Sequence, residues 1–166
     1  LKRDAVKDLS FIVSEPLVLA LDGISDPGNL GTIIRMADWF GVRHILCSHE
    51  TVDKYNPKVI QSAMGSIQRV QLYYGNLIEI LAKFESHTII ACDLSGTSIY
   101  EYHFKKPLVL VVGNESHGIS DILSAVVQQN ITIPSFSSSS IDSLNVSVAT
   151  GIVLSTIQGQ TKLKNL

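Results

Sequence analysis

Cysteines and long apolar runs are both scarce in this sequence. Its 166 residues include two cysteines, Cys47 and Cys92, each at the end of a short apolar run. A disulfide framework needs more cysteines in a small secreted domain, so we interpret both as buried free thiols of a cytoplasmic protein. No apolar run approaches the ~18–20 residues that cross a bilayer. The sequence therefore predicts no membrane-spanning segment and no membrane partner.

An excess of positive charge is also missing. Thirteen Lys and Arg residues stand against 15 Asp and Glu residues, for a net charge of −2, whereas free-standing nucleic-acid-binding domains are usually basic. If the substrate is a nucleic acid, a local patch, a dimer or a further domain must supply the positive field. Because the sequence begins at Leu1 rather than Met, we expect a piece of a longer protein from which an N-terminal portion is missing. Residues 1–14 would be a linker or the end of a preceding segment, and residues 15–166 one domain.

Common nucleotide-binding and catalytic fingerprints are absent as well. The sequence has no G-x-G-x-x-G dinucleotide loop and no G-x-S-x-G nucleophile elbow. Residues 113–118 have the spacing of a phosphate-binding loop, but Ile119 stands where that loop needs lysine. His44, Cys47 and His49 lack an evident fourth ligand, and two of them lie in or beside a strand, so we predict no metal site.

Short apolar runs and helical periodicities alternate along the chain. The continuous runs at 17–21 and 107–112 predict strands buried on both faces. Further strands are expected at 43–47, 67–73, 87–91 and 131–133, and helices at 30–40, from Pro57, from Leu77, at 120–127 and from Val146 onward. We interpret residues 93–100 as a loop. The alternation predicts an α/β fold with a mostly parallel sheet flanked by helices.

Three polar loops follow strands of this expected sheet, at 22–29, 113–118 and 135–145. Ligands of parallel sheets bind beyond the carboxyl ends of the strands, so the three loops are the candidate site. The third loop is rich in serine and leads into the last helix. We expect Asp142 or Ser143 to cap that helix, because a side-chain oxygen there accepts from the free N–H groups of the first turn.

The residues of these loops resemble the three signature motifs of the SpoU (TrmH-like) RNA ribose 2′-O-methyltransferases of the SPOUT superfamily. The motifs are D-P-G-N-L-G-T-I-I-R at 26–35, L-V-V-G-N-E-S-H-G-I-S at 110–120, and I-P…S-L-N-V-S-V-A-T-G-I at 133–152. The resemblance implies a C-terminal deep trefoil knot, a homodimer through the knot region, and S-adenosyl-L-methionine (AdoMet) as the cofactor without a metal. It implies an RNA substrate, with ribosomal RNA favoured over transfer RNA. It also implies that the missing N-terminal portion is a substrate-binding domain, as in many ribosomal-RNA members of the family. The alternative is a non-catalytic RNA-binding or assembly protein that keeps the fold.

The resemblance also implies roles for eight residues. Three match positions that line the methyl-donor pocket: Gly113, Ile133 and Leu144. Five match catalytic and RNA-contacting positions: Asn29, Arg35, Glu115, Ser143 and Asn145. Arg35 is implied to act on the ribose 2′-hydroxyl. Asn29 and Glu115 are implied to hold Arg35 and the RNA backbone. The chain departs from the family pattern at Ser135 and Phe136, where Met and soon after it Gly are common, and the loop that follows is longer than usual.

Overall fold

Short strands and helices share the part of the chain that can be described. The structure is a computed structural model, and it describes residues 10–137 and 143–163, with side chains described as far as residue 161. The strands are β1 (Leu17–Leu21), β2 (His44–Cys47), β3 (Gln71–Tyr74), β4 (Thr88–Ser98), β5 (Leu108–Val112) and β6 (Gln129–Thr132). The helices are α1 (Pro27–Trp39), α2 (Pro57–Ala63), α3 (Leu77–Leu81), α4 (Asp121–Ser124) and α5 (Val146–Leu163). A 3₁₀ helix, Ser66–Gln68, lies between α2 and β3.

The strands form one parallel sheet in the order β3-β2-β1-β5-β4-β6. The two continuous apolar strands β1 and β5 pair in the middle, from Leu17 opposite Leu108 to Leu21 opposite Val112, and every residue of both is buried. The predicted α/β fold with a parallel sheet is thereby confirmed, including the central place of these two strands.

Successive residues of β1 face opposite sides of the sheet, because side chains alternate along a strand. Leu19 and its neighbours two residues away pack in a core with α1, α2 and α5, whereas Val18 and Ala20 pack in a second core with α3 and α4. Truncating a buried leucine such as Leu19 to alanine costs about 2–5 kcal/mol. The two cores hold the sheet rigid, and its carboxyl edge therefore gives the loops a fixed base.

The prediction that residues 93–100 form a loop is wrong for most of that segment. Strand β4 continues as far as Ser98 and pairs with β6 on both sides of an irregularity between Cys92 and Thr97. The intervening Gly96 has φ +147°, and its Cα lies so close to the backbone of Asn130 that a Cβ there has no room. The polar composition of the segment hid a bulged edge pairing.

Other element bounds shifted for local reasons. Helix α1 begins at Pro27 rather than at residue 30, because Asp26 Oδ1 accepts from Asn29 N (2.8 Å) and caps it. Strand β3 begins at residue 71 rather than 67, since Met64 and Gly65 are left-handed and start the 3₁₀ turn that precedes it. The helix expected at 120–127 is limited to the four residues of α4.

Helix α5 returns from the edge strand β6 to the side of the sheet that carries α1. Gly151 faces Met36, and Gln158 Nε2 donates to the carbonyl oxygen of Phe40. The path between β6 and α5 includes residues 138–142, which lie outside the described residues, so the trefoil knot stays a prediction. Among the helices that the structure describes, none has the length and apolarity required to cross a membrane.

Candidate active site at the carboxyl edge of the sheet

A cleft with a volume of about 1070 Å³ opens beyond the carboxyl ends of β5 and β6. Its walls come from residues 92–94, 112–118 and 132–137, and from Ser143, Leu144, Val146 and Ala149. All three residues predicted to hold the cofactor, Gly113, Ile133 and Leu144, line this cleft, and so does Ser143. The parallel sheet brings these residues together, because successive strands end at the same edge.

The loop 113–118 is a tightly closed turn. Asn114 N donates to Gly118 O (2.8 Å), and Gly118 N donates back to Asn114 O (2.9 Å). A Cβ on Gly113 would overlap the backbone of Gly118 and Ile119, so a side chain at position 113 is incompatible with this turn. The bare backbone of Gly113 thus forms part of the cleft wall.

Two residues that the sequence analysis did not select hold this turn against the loop after β1. Asn114 Nδ2 donates to Gly23 O (2.7 Å), while its Oδ1 accepts from Ser116 N (2.8 Å). Asp22 Oδ2 accepts from Ser120 N (2.8 Å). Asn and Asp side chains commonly bond to nearby backbone in turns, and that tendency was the available signal. The sequence alone does not indicate their hydrogen-bond partners, which lie on other loops at the same edge of the sheet.

A chain of side-chain hydrogen bonds joins the three motif loops. Asn29 Nδ2 donates to Glu115 Oε1 (2.7 Å), and Asn145 Nδ2 donates to Asn29 Oδ1 (2.9 Å). These three predicted site residues come from α1, from the loop after β5 and from the residue before α5. The structure therefore brings Asn29, Glu115 and Asn145 into direct contact.

Helix α5 sets the direction of this chain. Asn145 Oδ1 accepts from Ser147 N (3.0 Å), Ser147 Oγ (2.6 Å) and Val148 N (3.3 Å). Because this oxygen caps the helix, the amide nitrogen of Asn145 must turn toward Asn29, and the nitrogen of Asn29 must then turn toward Glu115. The amino end of α5 thus orients the amides of Asn145 and Asn29 and, through them, the contact with the Glu115 carboxylate.

The cap itself corrects one expectation. Asn145 caps α5, whereas Asp142 and Ser143 were the predicted caps. Asp142 lies outside the described residues. Ser143 lies two residues before the cap and contributes to the cleft wall instead. The helix begins at Val146 because the first apolar residue of the periodic run follows the cap directly.

Arg35 lies apart from the three joined residues. It follows Asn29 by six residues, which places it about 240° around α1 and about 9 Å along its axis. Its side chain is exposed, and within the described residues its guanidinium has no hydrogen-bond or ion-pair partner. The implied contact of Arg35 with Asn29 and Glu115 is not formed in this chain, and the role of Arg35 stays a prediction.

The titratable groups of the cleft limit its chemistry. Burial, together with the charge of Asp93, raises the pKa of the Cys92 thiol to about 11, so Cys92 is protonated at neutral pH and is a poor nucleophile. His117 is exposed, and its Nδ1 lies 3.3 Å from Asn114 Oδ1. No cluster of three or more His, Cys, Asp or Glu side chains that could hold a metal exists among the described residues. His44, a candidate metal ligand from the sequence, instead bonds through Nδ1 to Tyr73 Oη (3.3 Å).

A second cleft of similar volume lies on the other side of the loop 113–118, between that loop and helices α3 and α4. It contains none of the eight residues that the motifs select. Asn114, His117 and Gly118 border both clefts. The motif residues therefore distinguish the two cavities, and they favour the one beside β6.

Comparison with known proteins identifies the arrangement. A family model described as the SpoU rRNA Methylase family matches residues 16–155 of this sequence. The chain belongs to the SpoU rRNA methylase family. The matched range contains the cleft, the hydrogen-bonded residues Asn29, Glu115 and Asn145, and Arg35.

Relatives of the SpoU chain agree with this assignment. The 23S rRNA (guanosine-2′-O-)-methyltransferase RlmB of Neisseria meningitidis serogroup B is 34% identical over 98% of this chain and 65% of its own length. A TrmH-family protein from Porphyromonas gingivalis matches with a TM-score of 0.81 and 41% identity, over 86% of this chain and 59% of that chain. The SpoU methyltransferase AviRb from Streptomyces viridochromogenes, solved in complex with AdoMet, matches with a TM-score of 0.85 and 26% identity, over 95% of this chain and 63% of that chain.

The chain covers only part of the length of the curated relatives that it matches. It spans between 51% and 65% of the length of the first three curated relatives. The chain shares its fold with these relatives. Because it covers only part of their length, the activities of the whole proteins are a matter of proposal for this chain.

Proposed function

We propose that this chain is an AdoMet-dependent methyltransferase that methylates a ribose 2′-hydroxyl in RNA. The observation that carries the proposal is the hydrogen-bond chain Glu115–Asn29–Asn145, which joins the three motif loops beside a glycine-walled cleft. The names of the relatives support the reaction, since the RlmB proteins are 23S rRNA (guanosine-2′-O-)-methyltransferases.

The cleft beside β6 has features that fit AdoMet. Gly113 contributes backbone to the cleft wall, and the space where its Cβ would lie is taken by the backbone of Gly118 and Ile119. Ile133 and Leu144 add apolar surface for an adenine ring, and Ser135 and Ser137 supply polar atoms beside them. A mostly apolar concave site with a few fixed polar groups is the usual form of a cofactor pocket. AviRb, a structural neighbour, was solved with AdoMet bound.

Bound AdoMet would supply an electrophilic methyl group on a sulfonium, so the chain has to position and activate the ribose oxygen. Arg35 is a permanent cation with five donors and no acceptor. It orients the 2′-hydroxyl and stabilises the alkoxide charge that develops on it, while a phosphate of the substrate takes the proton. Asn29, Glu115 and Asn145 form the fixed frame against which the RNA backbone is placed, and Ser143 adds a hydroxyl to the same wall. Placement of the reacting groups then supplies much of the acceleration.

The isolated position of Arg35 supports a homodimer. Helices α1 and α5 carry exposed apolar side chains: Trp39, one turn after Arg35 on α1, is 82% exposed, and Val148 on α5 is 50% exposed. We propose that this α1–α5 surface, next to the proposed knot, pairs with a second copy of the chain. A cation without an internal partner at such a surface is available to a substrate that spans two copies.

Ribosomal RNA is the favoured substrate, because several relatives with 32–35% identity to this chain are RlmB proteins of that specificity. Transfer RNA is the alternative RNA class. Such a substrate places the protein in the cytoplasm. A separate N-terminal substrate-binding domain remains part of the proposal, since a catalytic domain with net charge −2 has little positive field of its own for RNA.

Methyl transfer and nucleoside analysis test the proposal. Radiolabelled methyl groups from AdoMet should appear in ribosomal RNA, and digestion should yield a 2′-O-methylated nucleoside. A methylated base in place of a methylated ribose would contradict the reaction. Calorimetry that detects no AdoMet binding would favour the non-catalytic RNA-binding or assembly protein instead.

A further inference from the structure

Two exposed aromatic side chains meet at the rim of the cleft. Phe136 is 87% exposed and Tyr100 is 59% exposed. Their ring centroids lie 6.4 Å apart, with the ring planes inclined by 40°. Phe136 borders the cleft, whereas Tyr100 borders neither cleft and contacts Phe136 from outside. The pair therefore forms apolar surface that faces solvent beside the candidate active site.

Local hydrogen bonds hold the backbone of both residues. Ser135 Oγ bonds with the backbone N and O of Ser137 (3.3 and 3.4 Å), on either side of Phe136. Tyr100 N donates to Ser98 Oγ (3.3 Å), and the turn that follows closes onto Ser98 O. Two separate segments, one after β6 and one after β4, thus present the rings at fixed positions. An ordered apolar pair of this exposure has no role in the core.

The surroundings of the pair favour the flat face of a nucleobase over other ligands. Glu101, next to Tyr100 in sequence, and Asp93, in the wall of the cleft, are acidic and exposed, and these two carboxylates repel phosphate. The exposed Lys105 follows Tyr100 by five residues. Unpaired RNA bases stack on aromatic rings, a contact that needs no positive charge. The surface proposed for the adenine of AdoMet is a different part of the cleft, lined by Ile133 and Leu144.

We propose that Tyr100 and Phe136 form a stacking platform for an unpaired RNA base next to the nucleotide that enters the cleft. The proposal rests on the proposed function, because it takes RNA as the substrate. It assigns a positioning role to Phe136, a residue at which this chain departs from the motif pattern. The contact adds affinity for the base and leaves the cofactor pocket unchanged.

The test compares the wild-type chain with Tyr100→Leu, Phe136→Leu and the double variant. Fluorescence anisotropy measures binding to a labelled oligoadenylate and to an abasic strand of the same length, in the presence of AdoMet. The wild-type chain should prefer the oligoadenylate, and the double variant should lose about fivefold to 150-fold of that affinity while binding the abasic strand as before. Ile122→Ala, which removes an exposed apolar side chain from α4 (73% exposed), serves as the matched control and should change neither affinity.

Each other result overturns the platform. Equal wild-type affinity for the two strands excludes stacking. Weaker AdoMet binding by Phe136→Leu in calorimetry assigns the ring to the cofactor, and loss of a dimer in sedimentation assigns the pair to a subunit interface. These outcomes are separable from failure of the proposed function, which is absence of AdoMet binding or methyl transfer in the wild-type chain.

Discussion

Helix α1 carries two polar motif residues in opposite situations. Asn29 is fixed at both ends of its amide, by Glu115 and by Asn145. Arg35, six residues later, is exposed and has no partner within the described residues. The same helix thus presents one residue that folding has already placed and one that is free of partners within the described residues. In the proposed mechanism this difference separates the frame of the site from the residue that acts on the ribose hydroxyl.

The frame is fixed because it shares atoms with secondary structure. Asn145 is both a member of the frame and the cap of α5, so its orientation is set by backbone N–H groups. A preorganised frame loses little freedom when substrate binds, which favours catalysis by placement. An unpartnered arginine keeps its donors for charge that develops later. Substitutions on the two sides of this comparison should therefore separate stability from activity.

Arg35→Ala should give the largest effect. We expect the rate of methyl transfer to fall by about 10²–10³-fold, the range seen when one donor to a developing oxyanion is removed. Thermal stability should change little, since exposed substitutions usually lie within about 0.5 kcal/mol. AdoMet affinity in calorimetry should match the wild type. Arg43→Ala, an exposed arginine before β2 at the amino edge of the sheet, is the control and should retain activity; wild-type rates for Arg35→Ala would remove Arg35 from the mechanism.

Asn145→Ala should cost both stability and activity. Loss of the helix cap costs about 1 kcal/mol, which lowers the Tm by about 2–4 °C in a domain of this size. Asn29 also loses its donor, so we expect a rate about fivefold lower, as one hydrogen bond of about 1 kcal/mol implies. Calorimetric unfolding and methyl transfer measure the two effects.

Asn145→Ser divides these two contributions. A serine oxygen caps a helix about as well as asparagine does, but serine has no amide to donate to Asn29. The Tm should return toward the wild-type value while the rate stays low. Recovery of both together would show that the hydrogen bond to Asn29 has no part in activity.

The sequence predicted which residues form the frame, but not the hydrogen bonds that join them. The family motifs selected Asn29, Glu115 and Asn145, and the alternation of strands and helices predicted a shared edge. Hydrogen bonds across 86 and 116 residues of sequence depend on how the loops settle, and no local pattern encodes them.

The misassigned segment has a similar cause. Residues 93–98 are polar and include Gly96, so their pairing with β6 was hidden until the neighbouring strand was in place. Asn114 and Asp22 were missed because turn residues of their type are common and their partners lie on another loop. Local propensity indicates elements, whereas edge pairing and cross-loop bonds depend on tertiary context.

Glu115→Gln should have a smaller effect than Arg35→Ala or Asn145→Ala. The glutamine oxygen can still accept from Asn29 Nδ2, so the Tm should stay close to the wild-type value. Loss of the negative charge weakens a charge-assisted bond to a neutral one, and in this exposed pair we expect a difference of about 0.5 kcal/mol. The rate in steady-state assays should therefore be about twofold lower. A Tm that falls as far as that of Asn145→Ala would place Glu115 among the structural supports of the loop instead.

Arg69→Ala should give the smallest effect. It tests a third polar residue of α1, Asp38, whose charge has a fixed partner in Arg69. Arg69 donates to both Asp38 carboxylate oxygens (2.6–3.2 Å), and these hydrogen bonds hold the pKa of Asp38 below its usual value. A lowered carboxyl pKa contributes stability above the usual pKa of a carboxyl group, and this stability is lost as the pH falls through the lowered pKa. The variant should therefore show a small decrease in Tm at neutral pH, less than that of Asn145→Ala, and the difference from wild type should shrink in acid. Methyl transfer should be unchanged, since the pair lies outside the cleft; a large loss of activity would show that α1 transmits charge changes to Arg35.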